Sequence, residues 1–207
     1  VASWSSIDYH GRWKALHYLA RRFYAPVSIS ALENDKAGTV ELHVTNDLRE
    51  PMPGKVTWVA TDVAGRTLAR GGKAIEARAL GNTLAMTADL SRILAKQGLR
   101  DVIVWVNWWV DGERRSSNLA LFARPKHLEL ADPRIGLTVK DLKDGSFRAT
   151  LTARKPALWA WLELDGTDAR FSDNFVHLVP ERPESVLVTP ARPMALARLK
   201  QALRVRS

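Results

Sequence analysis

The sequence predicts a mainly β protein: two successive immunoglobulin-like β-sandwiches, preceded by one amphipathic helix. Short stretches of alternating apolar and polar residues, separated by turns rich in Gly, Pro, Asn and Asp, make up most of the 207 residues. No helical segments alternate with the strands, as a parallel sheet would require. The one long stretch with a clear helical period lies near the start of the chain. About seven strands at this spacing are typical of an immunoglobulin-like sandwich.

The opening helix has a wide apolar face. Its apolar residues recur at spacings of three and four: Trp13, Leu16, Ala20 and Phe23. Asp8 is predicted to cap its start, and Pro26 ends it. A β-rich chain offers such a face no helical neighbour, so we interpret it as the last helix of a domain outside this sequence. We expect Trp13 or Phe23 to contact the first sandwich, or a second copy of the chain, rather than water.

The alternation after Pro26 predicts the strands of the first sandwich. The predicted strands are 27–31, 39–45, 55–63, 66–70, 73–78, 83–88, 101–111 and 116–123. Asp89 is predicted to cap a short helix that ends before Gly98. The strand at 101–111 is apolar on both faces, so we expect both faces to be covered.

Two prolines mark the predicted boundary between the sandwiches, Pro125 and Pro133. The second set of strands is predicted at 135–141, 146–153, 157–164, 171–179 and 185–189. Residues 194–203 have a helical pattern, whereas 203–205 suit a strand equally well. The predicted division is therefore 1–26 for a final loop and helix, 27–124 for the first sandwich and 125–207 for the second.

Composition excludes several classes of protein. The net charge of +9 is uneven, because residues 192–207 carry five basic side chains and no acid while the rest carries +4. No nucleic-acid motif accompanies that charge, and no run reaches the roughly 20 apolar residues that cross a bilayer. We therefore expect neither nucleic acid nor a membrane as partner. The absence of cysteine excludes disulfides and thiolate metal sites; it does not settle the compartment, although the periplasm or secretion is favoured.

Three segments carry a resemblance to a known family. W-S-S-I-D-Y-H-G-R-W-K-A-L-H-Y at 4–18 resembles the segment that closes the catalytic barrel of β-mannosidases in glycoside hydrolase family 2. S-S-N-L-A-L-F-A-R-P-K-H-L-E-L at 116–130 and F-S-D-N-F-V-H-L-V-P at 171–180 resemble signatures of the two immunoglobulin-like domains that follow that barrel. The resemblance covers essentially the whole chain in the family's order. It departs at 181–183, where the family more often has a turn containing glycine.

The resemblance implies a non-catalytic role for this chain. The helix would remain from the (β/α)8 barrel, and the partners would be that barrel and β-mannoside saccharides. The whole enzyme would release terminal β-D-mannose with retention and without a cofactor. Its two catalytic glutamates would lie upstream, so we assign no catalytic residue here. The alternatives are a family 2 hydrolase of other sugar specificity, or a stand-alone sandwich pair that binds polysaccharide or protein.

The ionisable residues offer no convincing catalytic or metal site. Glu163 and Asp165 share one face of a predicted strand, at a spacing that approaches the longer separation of a catalytic carboxylate pair, but they run into the Asp165-Gly166 turn. We interpret them as a solvated strand edge. The five histidines lack the spacing of metal ligands, so we expect no metal.

Trp4 is the candidate binding residue. Sugars stack on aromatic faces, and loops after barrel strands form the active-site rim of such barrels. The resemblance places Trp4 in the segment after the last barrel strand, so it is a candidate for the substrate rim. The alternative is an aromatic wedge between barrel and helix. Trp58, Trp159 and Trp161 are predicted core residues, although the last two share a strand face and leave a surface sugar platform open.

Overall fold

A computed structural model describes residues 4–207 and confirms the predicted mainly β class. The described chain divides into two compact units, residues 22–129 and residues 4–21 together with 130–207. Each unit contains one β-sandwich built from two antiparallel sheets. Among the described residues, no helix has the length and apolar character that spanning a bilayer would demand.

The first sandwich has seven strands. They are β1 (Val27–Asn34), β2 (Thr39–Asn46), β3 (Met52–Asp62), β4 (Thr67–Ala77), β5 (Gly81–Asp89), β6 (Val102–Val110) and β7 (Glu113–Leu121). One sheet has the order β1-β2-β5 and the other the order β4-β3-β6-β7. A short helix, α2 (Ser91–Gln97), follows β5, and the Asp89 carboxylate accepts a hydrogen bond from the Ser91 amide at its start.

The core of this sandwich follows from the alternation in its strands. Val40, Leu42 and Val44 of β2 are fully buried, and so are Val56 and Ala60 of β3. Side chains two residues apart lie on the same face of a strand, so each sheet presents one apolar face to the other. Trp58 is part of this core, as predicted.

Two glycines accommodate the two large tryptophans of the core. A Cβ at Gly71 of β4 would lie 2.7 Å from the Nε1 atom of Trp58, and one at Gly54 of β3 would lie 2.5 Å from the Trp108 ring. The predicted break at Gly71-Gly72 between strands 66–70 and 73–78 is therefore wrong. Those glycines are paired with Trp58 and Thr57 within one continuous strand, where the missing side chains make room for an indole.

The turn between β3 and β4 is held by Asp62, which is 1% exposed. Its carboxylate accepts hydrogen bonds from the amides of Ala64 and Arg66 and from the Arg66 guanidinium at 2.6 Å. Burial opposes ionisation of this carboxyl group, but the Arg66 and Ala64 bonds outweigh it and hold its pKa below the ordinary value. Asp62 therefore stabilises the hairpin as an ionised side chain.

The second sandwich also has seven strands. They are β8 (Gly136–Asp141), β9 (Phe147–Thr152), β10 (Ala157–Leu164), β11 (Ala169–Phe171), β12 (Val176–Leu178), β13 (Glu184–Pro190) and β14 (Leu203–Arg206). The sheets have the orders β12-β10-β14 and β11-β13-β9-β8. The helix α3 (Leu196–Ala202) precedes β14 and buries Leu199 in the core. Residues 203–206 are strand, which settles the open choice.

The predicted strand 171–179 is wrong, because the chain leaves one sheet and joins the other. β11 pairs with β13, whereas β12 pairs with β10 in the opposite sheet. The residues between them form a crossing turn at 172–175. The alternation of apolar residues does not reveal such a crossing, because β11 and β12 each bury every second residue.

Candidate functional site

The crossing turn at 172–175 is fixed by its own side chains. Asn174, 5% exposed, accepts a hydrogen bond from the Leu162 amide at 2.7 Å and donates one to the Leu162 carbonyl oxygen at 2.9 Å. The Asp173 carboxylate accepts from the Asn174 amide, and the Ser172 hydroxyl accepts from the Leu187 amide. Local side-chain hydrogen bonds therefore organise this turn.

This turn presents Phe175 in an uncommon backbone conformation. Phe175 has φ +52°, a left-handed conformation that costs a residue with a side chain about 1–2 kcal/mol. Its ring stacks on Trp161 of β10, with centroids 5.9 Å apart and planes 15° apart. Such strain persists where the surroundings over-determine it, and here the Asn174 bonds and the Trp161 ring do so.

Phe175 also contacts the opening helix, α1 (Ala15–Phe23). The ring of Tyr18 lies 6.0 Å from that of Phe175, and Tyr18 is 5% exposed. Burial, with a contribution from the Asp173 carboxylate, raises the pKa of Tyr18. One turn further along α1, the Arg21 guanidinium donates a hydrogen bond to the Ser172 carbonyl oxygen at 2.6 Å. Tyr18 and Arg21 therefore attach α1 to the crossing turn.

The attachment corrects the predicted orientation of α1. The prediction is that Trp13 or Phe23 contacts the first sandwich or a second copy of the chain. In the structure the buried residue of the helix is Tyr18, which lies against Phe175 of the second sandwich. Trp13 is 38% exposed, Leu16 51% and Phe23 55%, so the predicted stripe faces largely outward. The stripe was assigned from apolar spacing, which does not anticipate that a tyrosine on another side of the helix takes the buried position.

The segment before α1 forms a loop. Asp8 accepts hydrogen bonds from the amides of His10 and Arg12 and from the Arg12 guanidinium. These bonds, led by the one from the Arg12 amide, lower the pKa of Asp8. The prediction that Asp8 caps the helix is therefore wrong, because its carboxylate is used within the loop. The Ser6 hydroxyl and the Nδ1 atom of His17, 2.9 Å apart, join this loop to the helix.

Trp4, the candidate rim residue, is fully exposed. The same loop exposes Tyr9 almost completely, while Trp13 packs its ring against His17 and Tyr18, with centroids 4.2 and 5.2 Å away. The structure thus brings aromatic rings together along one continuous path, Trp13–Tyr18–Phe175–Trp161. Sequence reasoning missed this path, although Tyr18 and Phe175 both lie inside segments that carry the family resemblance.

The two tryptophans of β10 lie outside the core, contrary to prediction. Trp159 and Trp161 are half-buried and point away from the core residues Ala160 and Leu162. Trp159 sits at a register shift with φ +54° and packs edge-on against His177. Because Phe175 covers Trp161, the two indoles do not form an open sugar platform.

The two candidate carboxylates are each paired with an arginine of the neighbouring strand. The Arg206 guanidinium contacts Glu163, and that of Arg204 lies 3.1 Å from Asp165. Both pairs are exposed to solvent, as predicted, but β10 lies between β12 and β14, so Glu163 stands on the face of a central strand and not at a sheet edge. No group of three or more metal-ligating side chains occurs among residues 4–207.

Family models match both sandwiches. Residues 38–127 match a mannosidase Ig/CBM-like domain, and residues 130–207 match an Ig-fold domain of mannosidases. Among curated relatives, β-mannosidase A of Neosartorya fischeri is 32% identical over 86% of this chain, and that of Aspergillus fumigatus is 31% identical over 89%. The chain spans only about a fifth of the length of each, 20% and 21%.

Solved structures agree at the level of the fold. The β-D-mannosidase of Dictyoglomus thermophilum superposes with a TM-score of 0.85 at 22% identity, covering 99% of this chain and 24% of that one. The exo-chitosanase of Amycolatopsis orientalis superposes with a TM-score of 0.66 at 16% identity, covering 98% of this chain and 28% of that one. The same pair of sandwiches therefore occurs in chains named for different sugars.

Substitutions at Phe175 test the strained attachment. Phe175→Ala and Phe175→Gly both remove the ring, but only alanine retains the penalty of φ +52°. We expect the glycine variant to be more stable to unfolding than the alanine variant by about 1 kcal/mol. Both should speed amide hydrogen exchange in the second half of α1, because Tyr18 loses its cover.

The matched control is Phe171 in β11, whose backbone is not in the left-handed region. There alanine should be the more stable variant, by about 0.5–1 kcal/mol, since glycine weakens a strand. If the alanine variant is more stable to unfolding than the glycine variant at both positions, the backbone strain at Phe175 is contradicted.

Proposed function

We propose a function from one premise: this chain belongs to the immunoglobulin-like C-terminal region of β-mannosidases in glycoside hydrolase family 2. It is a non-catalytic part of a larger polypeptide whose barrel carries the two catalytic glutamates. That whole enzyme releases terminal β-D-mannose with retention and without a cofactor. The single observation that carries the proposal is the serial match of both sandwiches to mannosidase domains.

The role proposed for this chain is to brace the barrel through α1. The exposed apolar surface, defined as Leu16 and Phe23 of α1 with Trp13 of the preceding loop, is available to a further domain; Trp13 lies before the helix, where it bridges to Ile7, contrary to the predicted helical stripe. Full burial of one such side chain is worth about 1.5–3 kcal/mol. A helix fixed by the crossing turn on one side and covered by the barrel on the other joins the catalytic domain to the second sandwich.

We assign residues 1–26 to the final loop and helix of the barrel, 27–124 to the first sandwich and 125–207 to the second. The matched ranges 38–127 and 130–207 support a division near residue 128. Lys126 lies in a short, exposed 3-10 turn at Pro125–His127. Residues 1–3 of the first segment lie outside the part of the chain that the structure describes.

Limited proteolysis tests this division. Trypsin should cut first near Lys126 and leave two protected fragments, because each sandwich has its own core. A Lys126→Gln variant, which removes that site alone, is the control and should slow the first cut. First cleavage inside either sandwich would contradict the assignment.

For Trp4 we propose a place at the rim of the substrate pocket. Its full exposure and its position in a loop before α1 support this role, since a free indole face is available for stacking on a sugar ring. The alternative, a wedge between barrel and helix, requires the same exposure in the isolated chain but no contact with substrate.

Two rival functions remain distinct from this proposal. A family 2 enzyme of other sugar specificity is favoured by the exo-chitosanase likeness, because the sandwich pair is shared while the sugar differs. A stand-alone module that binds polysaccharide or protein would need no barrel. An upstream reading frame that encodes barrel strands and two glutamates separates the enzyme from the module.

Hydrolysis of an aryl β-mannoside by four proteins tests the function. The 207-residue chain alone should show no turnover, and the longer protein encoded with it should be active. In that longer protein, Trp4→Ala should lower kcat/KM about 5- to 10-fold through loss of one stacking contact. Trp159→Ala, which removes a half-buried indole of the second sandwich, is the control and should leave kcat/KM within about twofold.

Turnover by the chain alone that survives repurification and is lost on Glu163→Ala would contradict the non-catalytic role. If the longer protein cleaves another aryl glycoside faster than the β-mannoside, its substrate is that other sugar and the proposed mannose specificity is wrong. Equal kcat/KM for Trp4→Ala and the parent would favour the wedge.

A further inference from the structure

A shallow cleft opens on the surface of the first sandwich at the end of the β6–β7 hairpin. Its volume is about 380 Å³, within the 300–1,000 Å³ range of small-molecule sites. It is lined by Gly54, Lys55, Thr57, Trp109, Asp111 and Gly112. All six residues belong to the unit 22–129, so the cleft lies entirely on that unit.

Trp109 forms a fixed aromatic wall of the cleft. Its Nε1 atom donates a hydrogen bond to the Thr57 hydroxyl at 2.9 Å, and the side chain is half-buried. The bond satisfies the polar edge of the indole and sets the orientation of the ring. A ring held in this way loses little conformational freedom when a ligand stacks on it.

One exposed acid and one exposed base flank the indole. Lys55 is paired directly with Trp109 across β3 and β6. Asp111, with φ +51°, and Gly112, with φ +77°, form the tight turn after β6. The ammonium group offers donors and the carboxylate offers acceptors, whereas a charged ligand would meet a like charge on one of the two.

Gly54 lies at the floor of the cleft, above the buried ring of Trp108. A Cβ at this position would lie 2.5 Å from the buried Trp108 ring and from the Trp109 carbonyl oxygen. The glycine is therefore required by the core beneath, and it lines the cleft with its backbone alone. The cleft is a consequence of how β3 and β6 pack.

We propose that this cleft binds a neutral saccharide of one or two pyranose rings. The C–H face of a sugar stacks on Trp109, and its hydroxyls hydrogen-bond to Lys55 and Asp111. A fixed indole face flanked by one donor and one acceptor suits a sugar ring, which has an apolar C–H face and a rim of hydroxyl groups. The site is separate from the activity proposed above, and only the choice of a mannose probe rests on that proposal.

The test is a titration of the 207-residue chain with β-1,4-mannotetraose and with cellotetraose, each to about 20 mM, followed by the indole and backbone N–H signals in 1H–15N spectra. Binding by the variants that lack the Trp109 indole is read at the backbone amides of Lys55, Thr57 and Gly112, which line the same cleft. We expect saturable movement of the Trp109 signal with at least one of the two sugars. Trp109→Ala should weaken binding at least about 10-fold, and Asp111→Asn about 3- to 10-fold. Trp159→Ala is the control and should bind as the parent does.

Trp109→Phe guards against a folding defect, because it retains an aromatic face and loses only the bond to Thr57. It should bind more tightly than Trp109→Ala at equal thermal stability. Absence of movement with both sugars, movement confined to Trp4 or Trp159, or equal binding by Trp109→Ala would each overturn the inference. Hydrolysis is not read in this experiment, so its outcome is independent of the catalytic proposal.

Discussion

The contact between Tyr18 and Phe175 is the interaction on which the account of this chain depends. It joins a helix at the start of the sequence to a turn more than 150 positions later, and it buries the tyrosine of α1. Together with the hydrogen bond from Arg21 to Ser172, it holds α1 in place, since Leu16 and Phe23 of the helix are largely exposed. The exposed apolar surface is free to bind a further domain only because a different side of the helix is already occupied.

The second sandwich maintains this contact at a cost in backbone strain. Phe175 adopts φ +52°, and the neighbouring Asn174 makes two hydrogen bonds to Leu162 that leave the turn no relaxed alternative. A strained residue in a well-bonded turn indicates that its position matters more than its local energy. In this chain the position serves packing rather than chemistry. The two carboxylates that the sequence offers as candidates, Glu163 and Asp165, are both paired with arginines.

Sequence reasoning recovered the class of the fold and most strands, because alternation reports which face of a strand is buried. The sequence analysis failed where one residue type can occupy two different structural positions. Gly71 looked like a turn but makes room for Trp58 within β4. Trp159 looked like core but stands at a register shift on the outer face. The contact between α1 and the second sandwich could not be predicted, because the spacing of apolar residues identifies an apolar stripe but not the single tyrosine that is buried.

A double-mutant cycle on Tyr18→Ala and Phe175→Ala tests the central claim most directly. The free energies of unfolding of the parent, both single variants and the double variant would be measured by urea denaturation of the 207-residue chain. Direct ring packing predicts a coupling free energy of about 0.5–1.5 kcal/mol. Additivity of the two substitutions within about 0.3 kcal/mol would show that the rings do not interact, and would contradict the packing of Tyr18 on Phe175 as the contact that holds α1.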